Sequence, residues 1–253
     1  MSLQGRFAAL AREGGRGALV TVVEGEGIGG RLLLGADGTQ EGTLGDPELD
    51  AFAVAAAEER MWAERSELVE SGERRLFVDV TAPPPRLIMF GAVDLAAALC
   101  TVARAVGWRP YVCDPRSRFA TRERFPTAED VVAGWPDEAF ARVGGIDRAT
   151  AICVLTHDPK LDDAALTVAL RSPAGYIGAM GSRRAQEKRR ERLLAQGITD
   201  DELARLAAPI GLDLGALSPQ ETALSVIAEI VALRHGRTGG RLIDARGRIH
   251  EVG

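Results

Sequence analysis

Three prolines in a row, Pro83–Pro85, constrain this chain more than any other feature. None offers a backbone N–H and each locks φ, so neither a helix nor a central strand can run through them. The segment 81–86, TAPPPR, is therefore read as an extended linker. Beyond it the pattern alternates. RLIMFG, RPYVCD, TAICVLTHD and AGYIGAMGS are short apolar runs. LAAALCTVARAVG, PKLDDAALTVALRS and RRAQEKRRERLLAQG are helix-length segments between and after them. Such alternation predicts βαβ units and a parallel sheet.

Ahead of the prolines the chain reads as a small α+β unit. ALVTVVE and RLLLGADGTQEGTL predict strands, with Asp37-Gly38 placed to turn a hairpin. The segment 46–68 reads as one helix, with Asp46 as N-cap and Pro47 in the first helical position. RRLFVDV predicts a closing strand. The fold class expected is α/β, a Rossmann-like parallel-sheet domain over 87–236 with a small N-terminal α+β domain over 1–80. Capping boxes at Thr199/Glu202 and Ser218/Glu221 mark two more helices. The tail, 237–253, reads as a short hairpin or as chain without fixed structure.

A net charge of −5 argues against a general nucleic-acid binder, which needs a basic surface, and leaves room only for a local basic patch. No apolar run is long enough to span a bilayer, and no secretory leader is legible, so a cytoplasmic protein is expected. Cys100, Cys113 and Cys153 are odd in number, widely spaced and set in apolar surroundings. They read as buried thiols, without metal-ligand spacing or a disulfide framework.

Ligands of open α/β sheets bind beyond the carboxyl ends of the strands, near helix N-termini. That rule selects four places. At Gly91-Ala92-Val93-Asp94 the first glycine allows a tight turn, but Val93 fills the space through which a backbone approaches a pyrophosphate. Asp94 suits a helix N-terminus as its cap and repels a phosphate. Asp114, about 20 residues further on, would accept from a ribose or cap the turn DPRSR. Thr156-His157-Asp158 ends the third strand, with His157 expected to act on a ligand and Asp158 to cap a helix. In Gly178-Ala179-Met180-Gly181-Ser182-Arg183 two glycines precede a helix start, so backbone N–H groups can face an anion. Arg184, Lys188 and Arg192 form a stripe on that helix and read as a solvated face paired with Glu187 and Glu191.

Together these segments resemble the XdhC/CoxI family, accessory proteins of molybdenum hydroxylases such as xanthine dehydrogenase. The resemblance is carried by VLTHDPKLDDAALTVALRSPAGYIGAMGSRRAQEKRRERLLAQGI and APIGLDLGALSPQETALSVIAEIVALR. It runs from about Pro85 to His235, and more loosely through the first part of the chain. It implies a chaperone rather than an ordinary turnover enzyme, with no catalytic residues. Such a protein binds the molybdenum cofactor (molybdopterin), protects it and assists its sulfuration and insertion into a partner hydroxylase. The implied cofactor-binding set is Gly91, Ala92, Asp114, Thr156, His157, Asp158 and Gly178 through Arg183, holding a small anionic cofactor without a protein-borne metal site. A homo-oligomer is compatible with this reading.

The chain departs from the family pattern in three places, one of them VEGEGIGGRLLL, which is shorter than usual and lacks a Pro-Arg segment. Glu48 stands where a cysteine is usual, a hard carboxylate in place of a soft thiolate. Val93 and Asp94 replace a glycine and a histidine of the family's Gly-Ala-Gly-His turn. Two alternatives stay open at this level: an NAD(P)-dependent oxidoreductase, suggested by the βαβ layout and Asp114, and a non-catalytic scaffold that has lost its ligand.

Overall fold

A computed structural model describes residues 1–245, and the chain gathers into two compact units, 1–83 and 84–245. In the first unit, helix α1 (Leu3–Arg12) precedes strands β1 (Gly17–Glu24), β2 (Arg31–Gly35) and β3 (Gln40–Thr43). Helix α2 (Pro47–Ala63) and strands β4 (Glu67–Ser71) and β5 (Arg74–Thr81) follow. The five strands form an antiparallel sheet in the order β3-β2-β1-β5-β4. Strand side chains alternate between faces. Ala18, Val20 and Val22, with Leu32, Leu34, Leu76 and Val78, therefore share one face and pack against Leu49, Ala53, Ala57 and Met61 of α2.

The helix expected over 46–68 stops at Ala63. Glu64 adopts a left-handed backbone (φ 54°), and Glu67–Ser71 becomes edge strand β4. Tertiary contacts account for the break. The guanidinium of Arg16, almost wholly buried, donates to the Met61 carbonyl at 3.0 Å and to Glu64 at 2.8 Å. Val69 then turns inward onto the α2 core. The Asp46 cap, Pro47 at the helix start and the Asp37-Gly38 turn between β2 and β3 all form where the residues demand them. Helix α1, capped by Ser2, is an addition to the expected elements.

In the second unit β6 (Arg86–Phe90), α3 (Asp94–Ala105), β7 (Arg109–Cys113), β8 (Asp130–Val132) and α4 (Pro136–Arg142) make the first half. The second half comprises β9 (Thr150–Val154), α5 (Pro159–Leu170), β10 (Tyr176–Ala179), α6 (Arg183–Ala195), α7 (Asp200–Leu203), β11 (Leu206–Ala207) and α8 (Pro219–Arg234). All six strands are parallel, in the order β11-β10-β9-β6-β7-β8. This is the doubly wound Rossmann order, with the chain leaving β6 and β9 in opposite directions. Leu87 and Met89 of β6 face the layer that holds α3 and α8, while Ile88 and Phe90 face α4 and α5. The four long strands are the expected ones. β8, β11 and α4 are too short to carry a periodicity of their own.

Both capping boxes are present, at Thr199/Glu202 on α7 and at Ser218/Glu221 on α8. In the tail, Leu242–Asp244 makes one 3-10 turn. The rest of the expected hairpin, with His250, lies outside the described residues. Among the described residues no helix is long and apolar enough to cross a membrane.

The Arg16 tie is testable. Arg16→Met leaves the Met61 carbonyl and Glu64 without their buried donor, and it should lower unfolding stability by about 2–3 kcal/mol in urea denaturation. A change within error would show that the α2 terminus holds without it.

Candidate functional site

The switch point lies where β6 and β9 end side by side, and two turns meet there. Gly91, directly after β6, has φ 119°, and a Cβ on it would sit 2.6 Å from Cγ2 of Thr156. Its glycine character is thus required by the close approach of the two turns, whatever else the turn does. The three N–H groups of this turn are all engaged within the protein. Gly91 donates to the Cys113 carbonyl, Ala92 to Asp114 Oδ2 and Val93 to the Gly91 carbonyl, each at 2.9 Å.

Asp94 is not the expected cap. Val93 occupies the N-cap position of α3 and makes no side-chain cap bond, and Asp94 is the first helical residue. Its exposed carboxylate lies 3.5 Å from Arg124. Asp114 follows β7 and is wholly buried. It accepts from the N–H of Ala92, and from the N–H, Nε and Nη2 of Arg116, at 2.8–2.9 Å. It thus does what the turn-capping reading required. Burial pushes its carboxyl upward, but the Arg116 guanidinium and the two backbone donors outweigh that and hold it below the ordinary carboxylate value.

After β9, Thr156 is buried. Its hydroxyl donates to Asp162 and accepts from the N–H of Asp158 at 3.2 Å. Asp158 caps α5 by accepting from the Lys160 N–H at 3.0 Å, as expected. His157 is exposed and makes no hydrogen bond among the described residues. After β10 the chain turns through Gly181 (φ 133°) into α6, capped by Ser182, whose Oγ accepts from the Ala185 N–H. Gly178 and Ala179 are buried in β10. A Cβ on Gly178 would meet Ile210 at 2.5 Å and the Tyr176 hydroxyl at 2.7 Å. The N–H groups of Gly181, Ser182, Arg183 and Arg184 have no hydrogen-bond partner among the described residues, and the Arg183 side chain is exposed. The Gly91 turn differs in the residues before its helix: Gly91, Ala92 and Val93 use their N–H groups internally, and only those of Asp94 and Leu95 have no partner among the described residues.

The two turns after β9 and β10 are tied by a pair that sequence reasoning misses. Arg189 of α6 and Asp162 of α5 are both buried and joined at 2.9 Å. Asp162 also receives the Thr156 hydroxyl, and Arg189 donates to the Met180 carbonyl at 3.1 Å. Gln186 adds bonds to the carbonyls of Ala179 and Gly181. Burial raises the Asp162 pKa despite donors from Thr156 and Arg189. A signal exists in the sequence, because Asp162 sits one turn before Leu166 on the stripe that α5 buries. The expectation for the outer stripe needs one correction. Arg184 and Lys188 are exposed, but Arg192 makes two bonds to buried Asp163, at 2.7 and 2.9 Å, instead of belonging to a solvated face.

Elsewhere the chemistry is quiet. The three cysteines are buried, and burial pushes the thiols of Cys100 and Cys113 up to about 12 and that of Cys153 higher. Among the described residues no three His, Cys, Asp or Glu side chains could gather on a metal ion. Glu48 is exposed in the first turn of α2, on the first unit.

Two measurements probe the site's frame. Arg189→Met strands a buried carboxylate and should cost about 3–5 kcal/mol, whereas Asp162→Leu with Arg189→Met should recover much of that loss. Equal costs in urea unfolding would refute a coupled pair. Asp114 has a lowered folded-state pKa, so its contribution is fully present above the unfolded value. It is lost as pH falls through the folded value. Asp114→Asn should therefore flatten the acid limb of the stability–pH curve below about pH 4.

Comparison with known proteins extends these observations. The XdhC Rossmann domain family matches residues 87–230. A probable xanthine dehydrogenase component of Bacillus subtilis is 30% identical over 159 residues, 63% of this chain and 46% of that one. The molybdenum cofactor insertion chaperone PaoD of Escherichia coli is 28% identical over 152 residues, 60% of this chain and 41% of its own. The crystal structure of a xanthine dehydrogenase from Bacillus halodurans superposes with a TM-score of 0.64. It is 25% identical, and the match covers 91% of this chain and 66% of that one. The chain spans less than half the length of the curated relatives it matches.

Proposed function

The chain belongs to the XdhC family, and from that premise we propose that it is a molybdenum-cofactor-binding accessory protein. In this reading it serves the maturation of a xanthine-dehydrogenase- or CO-dehydrogenase-type hydroxylase in the cytoplasm. The observation that supports the reading is the contrast between the turns that lead into α3 and α6 at the carboxyl edge of the sheet. Gly91, Ala92 and Val93 use their N–H groups internally, where Gly181 and Ser182 before α6 do not. The Gly181 turn presents four that are free, beside exposed Arg183.

The residues present suit the phosphate-bearing end of a pterin cofactor. Backbone N–H groups at the start of the 13-residue helix α6 favour an anion through their own dipoles and the helix field. Arg183 adds a full charge with two parallel donors. When bound, the cofactor supplies the metal and its sulfur ligands, so the protein needs no metal-binding side chains for this role. Thr156 and Asp158 hold the neighbouring turn, and His157, exposed at its tip, is placed to donate to the cofactor or to exchange a proton with it. In this reading Gly91 and Ala92 would flank the cofactor, Asp114 would brace their turn from within the protein, and Gly178, Ala179 and Met180 would form the strand end on which the anion turn is built.

Glu48 shapes what the protein does with its cargo. A carboxylate cannot carry sulfane sulfur as a thiolate does, and the three cysteines present are buried and protonated. The role that follows is holding and delivery, with any sulfur transfer left to a partner.

Purification from cofactor-replete cells tests this directly. The protein should release an oxidised, fluorescent pterin and molybdenum on denaturation. His157→Ala and Arg183→Ala should each reduce retention by about tenfold. Wild-type protein with no bound pterin under those conditions would refute the reading, and retention indifferent to both substitutions would move the site elsewhere.

A further inference from the structure

The Rossmann layout implies a pyrophosphate-linked dinucleotide lying across the switch point. Its phosphates would sit on the first glycine turn and its ribose on the acid after the second strand. The residues present do not fit that group. A carboxylate offers about four acceptor positions, and Asp114 has all four occupied: one by the Ala92 N–H and three by Arg116. With its side chain wholly buried, it has nothing left for a ribose hydroxyl. The N–H groups of Gly91, Ala92 and Val93 are bonded within the turn or to β7 and Asp114, so among the described residues this turn leaves a phosphate only the N–H groups of Asp94 and Leu95, beside the Asp94 carboxylate.

The segment after β7 is also bonded to the turn. Phe119, from the segment after β7, packs against the apolar cluster that includes Ala92. The guanidiniums of Arg116, Arg118 and Arg124 lie 4.5–5.8 Å from its ring centre. Arg124 ties this segment down by donating to the carbonyls of Ala92 at 2.9 Å and Phe119 at 3.1 Å. The Gly91 turn is therefore clamped at Ala92 on both its N–H and its carbonyl. Asp94 adds an exposed negative charge where a phosphate would have to lie.

We propose that segment 114–125 is a built-in occupant of the adenosine half of the cleft, and that it makes this chain refuse pyrophosphate-linked dinucleotides. Val93, Asp94, Asp114, Arg116 and Arg124 are its specificity-determining residues. The proposal stands apart from the cofactor reading, because it concerns the other half of the crevice and would hold even if no pterin bound.

Calorimetric titration of the full chain with NADH and with NADPH tests it. NADPH is the severer probe, since Arg116 and Arg118 would favour a 2′-phosphate. No saturable binding is expected up to about 1 mM of either. Saturation below that concentration would overturn the proposal. The triple variant Val93→Gly, Asp94→Asn, Arg116→Ala opens the turn, removes the repelling charge and frees two acceptor positions on Asp114. With the backbone N–H of position 116 still on Asp114, the two positions freed are those of Nε and Nη2, and the variant should gain at least about tenfold in affinity for NADH. A folded triple variant as blind as the wild type would also overturn the proposal. Should that variant not fold, amide NMR of the wild type decides. A dinucleotide-dependent shift of the Ala92 N–H counts against the proposal, and an unmoved Ala92 signal supports it.

Discussion

The second unit is built around a parallel sheet that has to be covered on both faces. Leu87 and Met89 point to one side of β6, Ile88 and Phe90 to the other, and all four are fully buried. Apolar area of this kind is worth about 25 cal/mol per Å² when removed from water. Neither face can be left open. Parallel strands can only be joined by crossovers, and covering two faces requires the crossovers to leave in two directions. The switch point between β6 and β9 follows from that requirement, and with it the one place where two turns and two helix starts converge.

What happens at this place depends on a second interaction, the buried pair of Asp162 and Arg189. Two charges withdrawn from water offset their desolvation only with close geometry and further hydrogen bonds. Here Thr156, Met180 and Gln186 supply those bonds. The same contacts fix the turns after β9 and β10 relative to each other. Arg192 and Asp163 repeat the arrangement closer to the surface. The α5–α6 interface thus acts as a stiff frame, and the free N–H groups of the Gly181 turn are held in one orientation before any ligand arrives. Preorganised donors of that kind bind anions with little further loss of conformational entropy.

The two halves of the crevice differ in how their polar groups are engaged. On the β6–β7 side the N–H groups of Gly91, Ala92 and Val93 and each acceptor position of Asp114 have a partner inside the protein. On the β10 side the donors remain open. The asymmetry stems from a few side chains on a common scaffold. Valine in place of a turn glycine admits a side chain into the phosphate space. An arginine two residues past Asp114 captures the carboxylate that would otherwise be free. Architecture alone would have assigned both halves the same task.

Much of this is legible in the sequence. The parallel fold, the helix caps at Asp46, Asp158, Thr199 and Ser218, the buried cysteines and the turns that line the crevice follow from local periodicity, capping chemistry and backbone sterics. These act within a few residues of one another. What stays hidden is settled by contacts between distant segments. Helix α2 ends early because Arg16, 48 positions before Glu64, holds its last turn. β8 and β11 exist because neighbouring strands offer them a ladder. Asp94 is not a cap because the chain enters α3 one residue sooner. Asp162 meets Arg189 across 27 residues. Local chemistry can nominate a charged side chain, but only the folded chain supplies its partner, and the partner decides whether that charge binds a ligand or braces the frame.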